Sequence, residues 1–141
     1  MFNDSLFSSK TEEWETPQDF FDMLDLCFCF TLDVCATDEN AKCLRYFTKK
    51  EDGLLQSWKG ETVWCNPPYG RKIKDWVKKA STEDAVVVML LPARTDTSWF
   101  HDYIYNNVNA DVIFLRGRLR FGNSKTCAPF PNMVVVFGSR S

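Results

Sequence analysis

Two apolar rhythms alternate along this chain. Continuous apolar runs mark strands, and apolar residues spaced three or four apart mark helices. Ala85–Leu91 (Ala-Val-Val-Val-Met-Leu-Leu) is the clearest run. It reads as a parallel strand covered on both faces, and Pro92 ends it. Phe30–Ala36, Thr62–Asn66, Asp111–Leu115 and Met133–Phe137 read as further strands. Thr16-Pro17 opens a helix, with Thr16 as N-cap, Pro17 at the first helical position and Asp19 where a capping-box acid would sit. Its apolar face carries Phe20, Phe21, Leu24 and Cys27. Helices are also expected over Ile73–Ala80 and over Thr97–Asn107, the latter with Trp99, Phe100 and Tyr103 on one side. A brief helix over Asp38–Leu44, a short strand over Tyr46–Thr48 and a turn at Asp52-Gly53 complete the pattern, with a long polar loop over residues 116–132.

Strands alternating with helices predict an α/β fold: a compact, Rossmann-like sheet, mostly parallel, with helices on both faces. No helix precedes Met133, which leaves the last strand free to pair antiparallel. Residues 1–13 read as a loose polar arm, and 14–141 as a single domain. Such sheets bind ligands beyond the carboxyl ends of their strands. Asp33, Ala36, Asn66 and Pro92 all fall at strand ends, so one crevice is expected to gather them.

Composition narrows the classes. A chain of 141 residues, 45% hydrophobic, is long enough for a substantial core. No apolar run reaches membrane-spanning length, and Met1-Phe2-Asn3-Asp4-Ser5 does not open a secretory signal. Six cysteines, four of them (Cys27, Cys29, Cys35 and Cys65) in apolar segments, read as buried free thiols of a reducing cytoplasm. With one histidine (His101) and no C-x-x-C pair, no metal site is expected. The net charge of −2 hides an asymmetry: residues 1–40 carry ten acids and one base, so the remainder is net basic. A basic face can therefore sit on an acidic protein.

The segment with the most chemistry is Asn66-Pro67-Pro68-Tyr69, which follows the apolar Thr62-Val63-Trp64-Cys65. Two prolines fix φ and contribute no N–H, so the carbonyls of Asn66 and Pro67 are held without a neighbouring donor. The Asn66 amide oxygen and the Tyr69 ring add an acceptor and a flat face. The set suits a planar amino group on a heterocycle. The exocyclic amine of adenine is a poor nucleophile because its lone pair is delocalised. Acceptors that draw its hydrogens out of plane free that lone pair and stabilise the charge that develops on nitrogen. The same tetrapeptide also serves as an ordinary strand-ending turn, and the strand before it favours the functional reading.

These residues belong to a wider pattern: Glu15-Thr16-Pro17, Leu32-Asp33-Val34-Cys35-Ala36 with Asn40-Ala41-Lys42-Cys43, Asp52-Gly53-Leu54 with Trp58, and Trp64 to Gly70. It continues with Leu91 to Thr97, Trp99-Phe100-His101, Gly117-Arg118-Leu119 and Ala128-Pro129-Phe130-Pro131. Over about residues 14 to 138 the chain resembles the phage-type DNA N6-adenine methyltransferases, which use S-adenosylmethionine. The resemblance implies a flipped adenine, double-stranded DNA as partner, and a phage- or prophage-encoded protein acting in a bacterial cytoplasm, in restriction-modification or in regulating expression. It assigns catalysis to Asn66, Pro67, Pro68 and Tyr69, and the cofactor to Thr16, Pro17, Asp33, Ala36 and Asp52. Many methyltransferases carry a Gly-rich loop after the first strand; here Cys35-Ala36-Thr37-Asp38-Glu39 has no glycine.

DNA contacts are expected from Arg71, Lys72, Lys74 and Lys78, just after the proline turn, from Arg94, and from the loop Arg116-Gly117-Arg118-Leu119-Arg120-Phe121. There arginines can read guanine edges, and Phe121 can stack or wedge into the duplex. Solvated charges and core support are the plainer accounts of the same residues. A homodimer is left open. The competing functions are methylation of RNA adenine or protein glutamine, and a non-catalytic DNA-binding module. Cytosine N4 fits less well, since serine commonly replaces Asn66 in that group.

Overall fold

A computed structural model describes residues 13–122 and 124–139. The arm expected over 1–13 therefore lies outside the described residues except for Glu13. One five-stranded mixed sheet forms the centre, with three helices among the described residues. In chain order the elements are α1 (Gln18–Phe28), β1 (Leu32–Asp33), β2 (Thr62–Cys65), α2 (Ile73–Thr82), β3 (Val86–Pro92), α3 (Ser98–Tyr103), β4 (Ala110–Phe114) and β5 (Asn132–Phe137). The strand order is β1-β2-β3-β5-β4. β1, β2 and β3 pair in parallel, whereas β5 runs antiparallel to both of its neighbours, β3 and β4.

Burial explains the centre of the sheet. Residues 87–92 of β3 and every residue of β5 are buried, as their unbroken apolar runs require. The reversal of β5 has the cause anticipated: no helix lies between β4 and β5 to carry the chain back for a parallel return. Outer β4 is different, with Ile113 and Phe114 exposed.

Several local expectations need correction. β1 is two residues long, not the seven of Phe30–Ala36. Its edge is continued by the backbone of 45–47 instead, where Asp33 N–H donates to the Arg45 carbonyl and Phe47 N–H to that of Asp33. The expected Tyr46–Thr48 strand is thus a single bridge between Asp33 and Tyr46. Asp38–Leu44 forms no helix. Thr37 and Asn40 instead exchange side-chain-to-backbone hydrogen bonds, the local competition by which such residues divert chain from helix. α1 starts one residue later than expected, and no side chain caps it, because the Thr16 hydroxyl is engaged elsewhere. α3 stops at Tyr103 rather than Asn107. Of the six cysteines Cys65 is buried, Cys35 and Cys43 are half-buried, and Cys27, Cys29 and Cys127 are exposed. All six are free thiols.

The turn at Asp52-Gly53 is built tightly. Asp52 takes a left-handed conformation (φ 59°) and its carboxylate accepts from Leu54 N–H at 3.1 Å. A Cβ on Gly53 would stand 2.1 Å from the Val34 carbonyl oxygen and 3.0 Å from the Trp76 ring. Trp58 donates its indole N–H to the Gly53 carbonyl at 2.9 Å. The turn is therefore pressed against the chain leaving β1, and only glycine permits that approach. Gly53→Ala should lower stability by about 1–3 kcal/mol, measured as a shift in the urea midpoint; an unchanged midpoint would show that the turn can back away freely.

Candidate active site

β1 and β2 are parallel neighbours, so their carboxyl ends open on the same side. Beyond them lies a cavity of about 900 Å³. It gathers Thr16, Asp33, Ala36, Asp52, Asn66, Pro67, Pro68 and Lys72, residues far apart in sequence. Trp14, Leu54 and Trp76 supply apolar walls. Pro17 and Pro92 do not line it; Pro17 instead accepts Phe21 N–H at 3.1 Å to begin α1.

At the end of β1 the Asp33 carboxylate is buried and accepts two backbone N–H groups, Cys35 at 3.2 Å and Lys42 at 3.0 Å. The loop without glycine is thus folded around this acid. Burial outweighs those bonds and the nearby Lys42 charge, and pushes the Asp33 pKa from 3.8 to about 6. Burial likewise pushes the Cys35 thiol up to about 12 and raises that of Cys65 well above the ordinary thiol range, so neither thiol is a nucleophile at neutral pH.

At the end of β2 the chain turns sharply. Pro68 accepts Gly70 N–H at 3.1 Å, Gly70 accepts Ile73 N–H at 3.2 Å, and α2 begins. The Asn66 amide nitrogen donates to the Trp14 carbonyl and, at 3.0 Å, to the Thr16 hydroxyl. A carbonyl can only accept, so the orientation of the Asn66 amide is settled chemically. The amide oxygen is left buried, with no hydrogen-bond partner among the described residues. An unsatisfied acceptor in that setting costs stability, and it is complementary to an N–H donor.

Tyr69 is placed differently from the open face expected of it. It is 6% exposed, and its hydroxyl donates to the Leu90 carbonyl at 2.9 Å. Asn132 donates to that hydroxyl at 3.3 Å and to the Leu91 carbonyl at 3.1 Å. The ring packs edge-on against Phe121 and Phe130. Phe121 is itself 1% exposed, held between Trp14, Tyr69 and Phe130, so it is a core residue rather than an exposed wedge.

Arg71, Lys72, Lys74, Lys78, Arg94, Arg116, Arg118 and Arg120 are exposed. Among the described residues none of them has an acid within ion-pair distance. Lys72 lines the cavity, and Arg118 donates to the Ala128 carbonyl at 3.4 Å. Two residues of the site carried no signal that sequence reasoning used. Trp14 sits one position before the recognised Glu15-Thr16-Pro17, and Asn132 is a polar residue at the head of a buried strand.

A family model described as DNA N-6-adenine-methyltransferase matches residues 4–133. This chain belongs to that family. The DNA N-6-adenine-methyltransferase of Escherichia phage T1 is 32% identical over 111 residues, covering 75% of this chain and 45% of the phage protein. The Escherichia coli (strain K12) protein YfdM is 33% identical over 66 residues, covering 41% of this chain and 71% of that protein. This chain thus spans less than half the length of its phage T1 relative.

The raised pKa of Asp33 has a consequence for stability. Folded Asp33 keeps its proton to a higher pH than unfolded Asp33, so the folded state binds more protons between about 3.8 and 6. Its contribution is fully present below 3.8 and is lost as pH rises through 6. Relative to Asp33→Asn, the natural chain should lose about 3 kcal/mol across that window. Parallel denaturant titrations at pH 4 and pH 7 check this, and equal differences at both pH values would refute it.

Proposed function

We propose that this protein transfers a methyl group from S-adenosylmethionine to the N6 amine of adenine in double-stranded DNA. The observation that carries the reading is the Asn66 amide oxygen, oriented by Trp14 and Thr16 and left without a donor at the edge of a large cavity. Family membership supports DNA adenine methylation as the chemistry. The mixed sheet, with its cavity at the ends of β1 and β2, is compatible with a Rossmann-like methyltransferase fold.

The cavity suits the cofactor. Asp33 is an acid whose ionised form a cationic ligand would favour, Leu54 and Trp76 offer apolar surface, and Thr16, Ala36 and Asp52 border the same space. When bound, the cofactor supplies a methyl group on a positively charged sulfur. The chain's own part is to bind and orient. Asn66 Oδ1 accepts one hydrogen of the amine and the Pro67 carbonyl accepts the other, so the nitrogen lone pair points away from the ring. Attack by that lone pair would displace the neutral thioether, which keeps the electron pair of the broken C–S bond. The extra amine proton, acidic only once the methyl is attached, would pass to water, so no charged base is required. Tyr69, locked by Leu90 and Asn132, fixes the level of the proline turn; an open stacking face for the base requires the aromatic cluster around it to part.

The unpaired cations of α2 and of the 116–120 loop would meet phosphates. Removing Lys74 and Lys78 together should flatten the salt dependence of DNA binding by about two charges, read as the slope of log affinity against log salt. An unchanged slope would clear α2 of phosphate contact.

The direct test is incubation with methyl-labelled S-adenosylmethionine and duplex DNA, then nucleoside digestion and mass spectrometry. Label is expected on N6 of deoxyadenosine, and Asn66→Ala should reduce it at least 100-fold, the scale of losing a transition-state acceptor. The fold and much of the cofactor binding should be retained, with a lowered unfolding midpoint because the Trp14 carbonyl and Thr16 hydroxyl lose their donor. Undiminished methylation by Asn66→Ala would overturn the mechanism, and label on RNA or protein alone would overturn the substrate.

A further inference from the structure

A second residue of the cavity lining, Trp14, carries an orphan of its own. The indole Nε1 of Trp14 is buried and, like Asn66 Oδ1, has no hydrogen-bond partner among the described residues. Both residues line one cavity, and they are joined directly, because the Trp14 carbonyl accepts from the Asn66 amide. One of the two unsatisfied atoms is an obligate acceptor, and the other can only donate. Each costs stability while unmet, so the pair is complementary to a ligand edge that carries a donor beside an acceptor.

We propose that Trp14 reads the target base, its indole N–H donating to a ring nitrogen of adenine that flanks the amine held by Asn66. This inference rests on the methyl-transfer reading above. Adenine places an acceptor nitrogen on each side of its amine, N1 on one flank and N7 on the other. Thymine presents a carbonyl oxygen where the amine would be, with a ring N–H beside it. Asn66 Oδ1 would then face a lone pair and Trp14 would face a hydrogen, so both protein atoms would stay unsatisfied. Guanine fails in the same way on its Watson–Crick edge. Rejection by unpaired buried groups discriminates more strongly than lost contact alone.

The placement of Trp14 supports the role. Its ring is held at 5.4 Å from Phe121 and 5.3 Å from Phe130, with an edge-on geometry to the latter. Phe130 in turn packs on Tyr69 of the proline turn. The neighbouring chain is held by contacts that include Thr16 Oγ1 to Asn66, the Trp14 carbonyl to Asn66, the Glu15 carbonyl to Gly122 N–H at 2.7 Å, and the Glu13 carboxylate to Lys49 at 2.8 Å. Both orphan atoms are shielded from solvent, so a base reaches them only when this short strap lifts from Asn66. None of these contacts is part of the sheet, so the strap can lift without unfolding it.

The test separates the indole N–H from the indole ring. The natural chain and Trp14→Phe are compared on duplexes carrying adenine, 1-deazaadenine or 7-deazaadenine at the target position. Any defect the analogue causes in the duplex is common to both enzymes and cancels in the comparison. The natural chain should lose tenfold or more in kcat/KM on one of the two analogues. Trp14→Phe should lose a similar factor on adenine and nothing further on that same analogue. Should Trp14→Phe fail to fold, 3-benzothienylalanine at position 14 keeps the ring shape and replaces the N–H with sulfur, and the same pattern is expected. Full activity of either variant on adenine, or equal losses on adenine and both analogues, would overturn the role of Trp14. If the natural chain methylates adenine and only this pattern fails, the methyl-transfer reading stands. If the natural chain methylates no DNA, both readings fall.

Discussion

One hydrogen bond organises this site: the amide nitrogen of Asn66 on the carbonyl of Trp14. Asn66 is rigid along the backbone because two prolines follow it, yet an amide side chain can rotate and present either end. An obligate acceptor on one side removes that freedom. The nitrogen must face Trp14, and the oxygen is left for something else. The contact also binds the segment before α1 to the turn after β2, elements 52 residues apart. The chemistry proposed for the end of β2 therefore depends on chain that is not part of the sheet.

The reversed strand has a comparable effect at longer range. Because β5 enters antiparallel beside β3, Asn132 at its start lies opposite Pro92 at the end of β3. From there its side chain reaches both the Leu91 carbonyl and the Tyr69 hydroxyl. A parallel β5 would bring its other end to this position. The antiparallel topology is thus what supplies a polar clamp to the proline turn. With Leu90 it holds the Tyr69 hydroxyl from two strands at once, and burial raises its pKa well above the ordinary range, keeping it a neutral donor.

The sequence was most legible where one rule governed a whole segment. Ala85–Leu91 and Met133–Phe137 are apolar throughout because both faces are covered, and both strands formed, the first shifted by one residue and the second starting one residue earlier. Asn66-Pro67-Pro68 was legible because proline restricts the backbone whatever surrounds it. Legibility failed where side chains choose between near-equal local partners. Thr16 has the residue type of a helix cap, but its oxygen serves Asn66, fifty residues away. Thr37 and Asn40 sit in a segment that could wind into a helix, yet they bond each other's backbone. Tyr69 was read as an open ring, and Phe121 either as a wedge or as core support; four aromatic residues from three segments bury one another, a tertiary effect invisible in any window of sequence.

These failures share a direction. Thr37 and Asn40 aside, the misplaced residues Thr16, Tyr69 and Phe121 are found supporting Asn66 or the turn that carries it. Thr16 and Trp14 orient the amide, Tyr69 and Asn132 tie the turn to β3, and Phe121 and Phe130 fill the space between Trp14 and Tyr69. A catalytic acceptor must be held within a fraction of an ångström to favour a transition state over a ground state. The support for Asn66 comes from buried residues of the fold, so the site and part of the core share side chains.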